Sequence, residues 1–219
     1  MAGPVLVDGP CATEPRRRRS FPAGPPVRRS GRVRHVRTAG PPRSPGVLGH
    51  YRDAVRLVEP TPSHPILYGA VTGDSELLPW SWALERLTGA RNYWVATVRP
   101  TGRPHSRPVW GVWLEDGFWF TTGSLAKHNV ATNPEVTVHL EDGDASIIIE
   151  GRAHPAGGAA DVLRMAEPYN AKYGWTLRPD GDAGLVADAN EPIGPALRVE
   201  PEVVFGWEAT MKNPTRWRF

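Results

Sequence analysis

Tyr93-Trp-Val-Ala-Thr-Val98, Arg99-Pro-Thr-Gly-Arg103, Pro104 to Leu114, Glu115-Asp-Gly117 and Phe118-Trp-Phe-Thr-Thr122 follow one another without a gap, and their order decides the fold. The first of these is β-branched and aromatic, the residue types that suit a pleated surface, and the Pro- and Gly-containing pentapeptide after it is a turn. A second strand runs to Leu114, a short acidic turn reverses it, and a third runs to Thr122, so the three form a meander. Next, Ser124 caps a short helix ending at Asn133-Pro134. Val136 to Leu140 and Ala145 to Ala153 then pair as a hairpin across Glu141-Asp-Gly-Asp144. Leu197 to Trp207 returns to strand, interrupted at Pro201. Six short strands with few helices and no βαβ alternation predict a mainly β (α+β) protein. Its expected centre is a six-stranded antiparallel barrel with short flanking helices. A dinucleotide-binding parallel sheet is excluded by the same pattern.

Two further segments read as helix. Pro79 can occupy the first turn of one in which Trp80, Ala83, Leu84 and Leu87 share a face, with Gly89 ending it. Val162, Met165, Ala166, Tyr169 and Tyr173 fall on one face of the other, which Pro168 is expected to kink or divide. Residues 174–195 are rich in Gly, Pro and Asp and read as a long loop.

Outward from this core the composition changes at residue 70. The 219 residues carry a net charge of +3, but residues 1–70 hold 12 Arg, no Lys and 4 acids, for +8, leaving −5 on residues 71–219. All nine Trp lie after residue 70, whereas the first 70 positions contain 20 Pro and Gly and three aromatics. Such a segment buries too little apolar surface to offset its ordering entropy, and residues 1–70 read as a disordered N-terminal arm. Arg16 to Arg19 with Arg28, Arg29, Arg32, Arg34 and Arg37 could bind phosphates, which gives a basic-arm nucleic-acid binder as one function class. Arg, Pro, Gly and Ala are also what GC-rich codons over-produce. The expected start of the working protein is therefore Val71, readable from a GUG codon, with 71–219 as its single domain. The chain has no apolar run of membrane-spanning length and no secretory core, so a cytoplasmic protein is expected. The lone Cys11 cannot form an internal disulfide, and no Cys/His spacing suggests a metal site.

Two segments carry the chemistry. In Gly102 to Trp113, Arg107, Val109, Gly111 and Trp113 face one way and Pro108, Trp110, Val112 and Leu114 the other. Pro108 lacks an N–H and Gly111 a side chain, so the backbone there bulges, lies at an edge or meets something flat, and a planar ring lying on the strand would explain Gly111. The residues alone leave open a plain barrel bulge with Trp110 and Trp113 as core. In Phe120 to Pro134, a strand feeds through Gly123 into a helix whose N-terminus, with hydroxyls from Thr121, Thr122 and Ser124 and the amine of Lys127, suits a phosphate. An ordinary capped helix with a solvated lysine is the other reading.

Taken in order, the Arg-x-Val strand, the hairpin, the strand ending in Thr121-Thr122, and Ser124, Lys127 and Asn133-Pro134 resemble the pyridoxamine 5'-phosphate oxidase-like split-barrel family from about Trp80 to Phe219. The phrases Tyr93 to His105, Pro108-Val-Trp-Gly-Val-Trp113 and Arg216-Trp217 are similar to its flavin and deazaflavin oxidoreductase branch. The resemblance implies a split barrel binding FMN or coenzyme F420 at a homodimer interface, and hydride transfer to or from a small organic substrate. It implies that Arg107 and the backbone of Pro108, Val109, Trp110, Gly111 and Val112 line the ring, and that Thr121, Thr122, Ser124 and Lys127 hold the phosphate. Ser146 would add a polar contact, with Trp207 and Arg216 closing over the cofactor from the partner subunit.

Departures from the family narrow the activity. The oxidases proper have a Lys where this chain has Val112 and an Arg-Lys pair where it has Leu125 and Ala126. Their vitamer-phosphate cluster of Tyr, Arg and Ser has no counterpart between Gly157 and Gly174, so a true pyridoxamine phosphate oxidase is not expected. His105 is the nearest titratable candidate for a proton donor, on the same strand face as Arg107. A non-catalytic binder of haem or another flat cofactor is the remaining function class.

Overall fold

The chain enters the sheet at β1 (Thr61–Ser63), ahead of a two-stranded hairpin of β2 (Ile66–Leu67) and β3 (Ala70–Val71). β1 pairs with the C-terminal strand, Ser63 opposite Arg216. The computed structural model describes residues 59–219 except 68, 72, 73 and 116, and all of these belong to one compact unit. The expected boundary at residue 70 is therefore corrected: the folded domain already includes Thr61, while the arm's remaining residues, 1–58, lie outside the described ones.

Helix α1 (Trp80–Gly89) buries Ala83 and Leu87, two members of the expected apolar face, with Pro79 at its N-cap. The meander follows as β4 (Tyr93–Val98), β5 (Pro104–Val109), β6 (Gly111–Leu114) and β7 (Gly117–Thr121). Then come α2 (Leu125–Thr132), β8 (Glu135–His139) and β9 (Ser146–Pro155). Helix α3 (Ala159–Tyr173) buries Val162, Met165, Ala166 and Tyr169 and runs through Pro168 undivided. Gly174, in the left-handed conformation at φ 71°, terminates it.

The expected loop at 174–195 is instead a small hairpin, β10 (Arg178–Asp180) and β11 (Gly184–Val186), followed by a single 3-10 turn. Its strands are too short to show a period, and buried Leu177 and Leu185 tether the stretch. The long β12 (Pro192–Glu208) and β13 (Lys212–Arg218) complete an eleven-stranded sheet in which every pairing among the described strands is antiparallel.

Within that sheet lies the six-stranded barrel. β4 pairs with β5 and β8, β8 with β9, β9 with β12, β12 with β7, and β7 with β6. β5 and β6 are one strand broken at Trp110, so the chain itself turns this corner, and no ladder joins β5 to β6 among the described residues. The barrel stays open there. β12 changes neighbour along its length, from β7 at Ala196–Val199 to β13 from Val203 onward. Pro201 stands at the change, beside a register shift between Pro201 and Val203, where a residue without an N–H interrupts the ladder.

Two apolar clusters flank the wall. The barrel interior gathers Tyr93, Val95, Val109, Phe118, Phe120 and Ile149, with Trp217 beside them. Outside, Val112 and Trp119 pack with Met165, Ala166 and Tyr169 of α3. β7 is buried along its whole length because it has core on both sides. The alternation expected for residues 107–114 survives the break: Val109 and Trp113 pack with the interior, Trp110, Val112 and Leu114 with the outer cluster.

Candidate functional site

The open corner of the barrel borders a cavity of about 690 Å³. Arg107, Pro108, Val109 and Trp110 form one wall, and Thr121, Thr122, Gly123 and Ser124, which lead into α2, form another. Two segments expected to act together thus meet around one space. The remaining lining comes from residues that the sequence did not single out as ligands: Asn92, Trp94 and Glu141 on one side, and Tyr169, Trp175, Leu177 and Ile193 from the α3 to β12 region on the other.

The α2 end is built by its own hydroxyls. Ser124 Oγ accepts from the Ala126 amide at 3.2 Å, and Thr122 Oγ1 accepts from the Ser124 amide at 3.2 Å. The two hydroxyl oxygens lie 2.7 Å apart, so one proton is used between them and the second is left to donate elsewhere. Thr121 differs. Only 9% exposed, it has a buried Oγ1 with no partner among the described residues. A buried hydroxyl without a partner costs about 1–3 kcal/mol, and of the described side chains with such an atom Thr121 is the one that lines the cavity.

Gly111 has a different explanation from the one expected. A Cβ on it would sit 2.4 Å from the Phe118 ring and 2.6 Å from the Trp119 carbonyl, so the flat object lying on this backbone is Phe118 of the neighbouring strand, not a cofactor. Its peptide groups are also occupied. The Gly111 amide donates to Tyr173 Oη at 3.0 Å, and its carbonyl accepts from Lys172 Nζ at 3.2 Å. Val112 is buried against α3. Trp113 packs on the barrel core, as the plain-bulge reading has it, with its ring 5.9 Å from that of Trp80.

The other expected site residues lie elsewhere in the chain. Lys127 is half-buried in the first turn of α2, and the cavity lining does not include it. Ser146 is buried and donates to the Gly143 carbonyl at 2.8 Å, closing the turn between β8 and β9. Trp207 sits opposite Ser146 on β12, and Arg216 on β13 donates through Nε to Ser63 Oγ at 3.1 Å. His105 also stands off the cavity, its Nδ1 3.4 Å from the hydroxyl of Thr97. That hydroxyl accepts from Nδ2 of the fully buried Asn129 at 2.9 Å.

Among the described lining residues only Arg107, Glu141 and Tyr169 carry titratable groups. Burial raises the phenol of Tyr169 above its ordinary value, so it remains neutral. Asn92 Nδ2 donates to Glu141 Oε2 at 3.1 Å on the rim. Among the described residues no three His, Cys, Asp or Glu side chains gather as a metal site, and no helix is long and apolar enough to cross a membrane.

An antiparallel barrel open at one corner, with a hydroxyl-lined helix start facing an aromatic wall, gives a concave site of small-molecule size. The family model described as Pyridoxamine 5'-phosphate oxidase matches residues 83–208, more than half of the chain, and the protein belongs to that family. Solved structures similar to it include General Stress Protein 26 from Bacillus anthracis str. Sterne, 20% identical with a TM-score of 0.47, covering 64% of this chain and 97% of that one. A pyridoxamine 5'-phosphate oxidase-related, FMN binding protein from Nostoc punctiforme PCC 73102 is 21% identical with a TM-score of 0.42, covering 65% and 90%. An F420 reductase is 24% identical with a TM-score of 0.38, covering 55% and 94%. No curated protein matches the chain.

Proposed function

We propose that the protein is an oxidoreductase that holds FMN or coenzyme F420 in this cavity and transfers hydride to or from a small organic substrate, without being a true pyridoxamine phosphate oxidase. The observation that carries the reading is the partnerless, buried hydroxyl of Thr121 beside the start of α2. A phosphate oxygen there would accept from Thr121 and from the spare proton of the Thr122–Ser124 pair, next to the positive end of the helix. The cavity volume lies within the range of cofactor sites, and Trp110 and Trp175 offer apolar faces to a flat ring. The guanidinium of Arg107 supplies the cationic side of the wall.

Such a cofactor, when bound, supplies the hydride chemistry, and the chain's part is to hold it, orient it and keep water from it. For haem the lining is poorer: it has no His, Cys or Met among its described residues, which leaves Tyr169 as the one side chain of an axial-ligand type. Ser146, Trp207 and Arg216 line no part of this protomer's cavity, so any contact of theirs with the cofactor would come from a second copy of the chain. The homodimer is therefore proposed on the family resemblance, which has these residues reach the cofactor from the partner subunit.

Thr121→Val tests the reading. The swap keeps the shape and removes a hydroxyl that bonds nothing in the described chain, so thermal stability is expected to hold. Affinity for the phosphate-bearing cofactor is expected to fall roughly tenfold or more, the worth of a hydrogen bond to a charged group. Unchanged affinity in equilibrium titration with both cofactors would remove Thr121 from the site.

A further inference from the structure

We propose that Lys172 and Tyr173, the last two residues of α3, form a positioning clamp that holds Trp110 in the cavity wall through the peptide of Gly111. Trp110 lies between β5 and β6 in no strand, so the peptide groups at this corner need partners outside the ladder. α3 provides them. Tyr173 Oη accepts from the Gly111 amide and lies 2.8 Å from the Gly111 carbonyl and 2.7 Å from that of Arg91. Lys172 Nζ donates to the carbonyls of Gly111 and Thr88, each at 3.2 Å, and to Tyr93 Oη at 2.9 Å. The phenol of Tyr93 in turn donates to the Leu87 carbonyl.

These bonds reach the cavity through one contact. The Tyr173 ring stacks on Trp110 with centroids 5.1 Å apart and planes 7° from parallel, and the Arg91 guanidinium lies 5.7 Å from the Trp110 centroid. Trp110 lines the cavity, whereas neither Lys172 nor Tyr173 does. Both therefore act at a distance, on the angle that Trp110 presents to a ligand.

The ammonium has three N–H groups and three acceptors, so its charge state sets how tight the clamp is. On α1 it faces the Thr88 carbonyl, on β6 the Gly111 carbonyl, on β4 the Tyr93 phenol, and within α3 the ring of Tyr173, with Arg91 against the same stack. Burial raises both phenols, which keeps them neutral while Lys172 titrates. Burial also lowers Lys172 to about 8. Losing the proton relieves that desolvation and removes one of the three donated hydrogen bonds, and the corner loosens.

The test uses the full chain and reads Trp110 directly, as the near-ultraviolet circular dichroism of the wild type minus that of Trp110→Phe. This signal is expected to change with a midpoint at about pH 8. Lys172→Arg, whose guanidinium stays charged, is expected to keep the neutral-pH signal without the transition, and Lys172→Met to lack the signal throughout. In a second arm, which rests on the cofactor reading above, FMN affinity of the wild type is expected to weaken roughly three- to tenfold through the same transition and to stay flat in Lys172→Arg. A Trp110 signal that ignores pH, or titrates equally in Lys172→Arg, overturns the clamp. A signal that titrates as expected in a chain that binds no FMN supports the clamp and counts against the cofactor reading alone.

Discussion

Trp217→Ala is expected to cost about 3–5 kcal/mol of stability, the range for deleting a large aromatic ring from a packed core. Trp217 is fully buried in the C-terminal strand β13, between Trp80 at 5.6 Å and Trp82 at 6.5 Å, centroid to centroid. Gly206 makes room for it, since a Cβ there would come within 2.9 Å of the indole. The site cannot collapse onto the lost volume, because the two neighbouring tryptophans belong to α1 and are held by its own buried face. Trp217→Phe is expected to be milder: the indole N–H has no partner among the described residues, so removing it forfeits no hydrogen bond. Chemical denaturation of both variants, read as a shift in midpoint at constant slope, checks the order.

Gly111→Ala is the second large effect and separates two accounts of the same glycine. Its added methyl would meet Cε2 and Cζ of Phe118 at 2.4 Å and the Trp119 carbonyl at 2.6 Å. Phe118 has nowhere to go. It is fully buried between Tyr93, 4.5 Å away, and Phe120, 5.6 Å away. A loss of about 3 kcal/mol, the upper end of ordinary overpacking, is expected in the protein without any cofactor. If the glycine existed to admit a planar ligand, the cofactor-free protein would be as stable as wild type and only binding would fail. Unfolding measured in the absence of cofactor distinguishes the two.

Why the sequence misled at Gly111 is a matter of distance along the chain. Turns are local, so Arg99-Pro-Thr-Gly-Arg103 and Glu141-Asp-Gly-Asp144 announced their hairpins, and Ser124 announced its helix. The strand alternation at 107–114 was equally local and survived the break at Trp110, which falls between the Pro108 and Gly111 that suggested a bulge. A glycine, by contrast, says only that a side chain is unwelcome. Whether the intruder is a neighbouring strand or a ligand depends on register, and the register here places Trp113 opposite Phe118 and Gly111 opposite Phe120.

The cavity was half legible for the same reason. Arg107 to Trp110 and Thr121 to Ser124 each carry a motif, but Asn92, Glu141, and Trp175 with Leu177 reach the same space from three separate stretches of chain. Nothing in their spacing links them. Lys172 did leave a trace: it lies three residues after Tyr169 and seven after Met165, on the stripe that α3 buries, so a charged residue there was a sign of a specific partner. Thr61 to Ser63 were lost inside a Pro- and Gly-rich composition, because a three-residue strand has no period to detect and is held by β13, at the opposite end of the sequence.

The central claim is that the open corner of this barrel holds a flavin-type cofactor by its phosphate at the start of α2 and its ring against the aromatic wall. Equilibrium titration of the full chain with FMN and, separately, with coenzyme F420, followed by cofactor fluorescence, tests it most directly. Saturable binding of one of them at micromolar concentration, weakened by Thr121→Val, is the predicted result. Saturation by neither would contradict it.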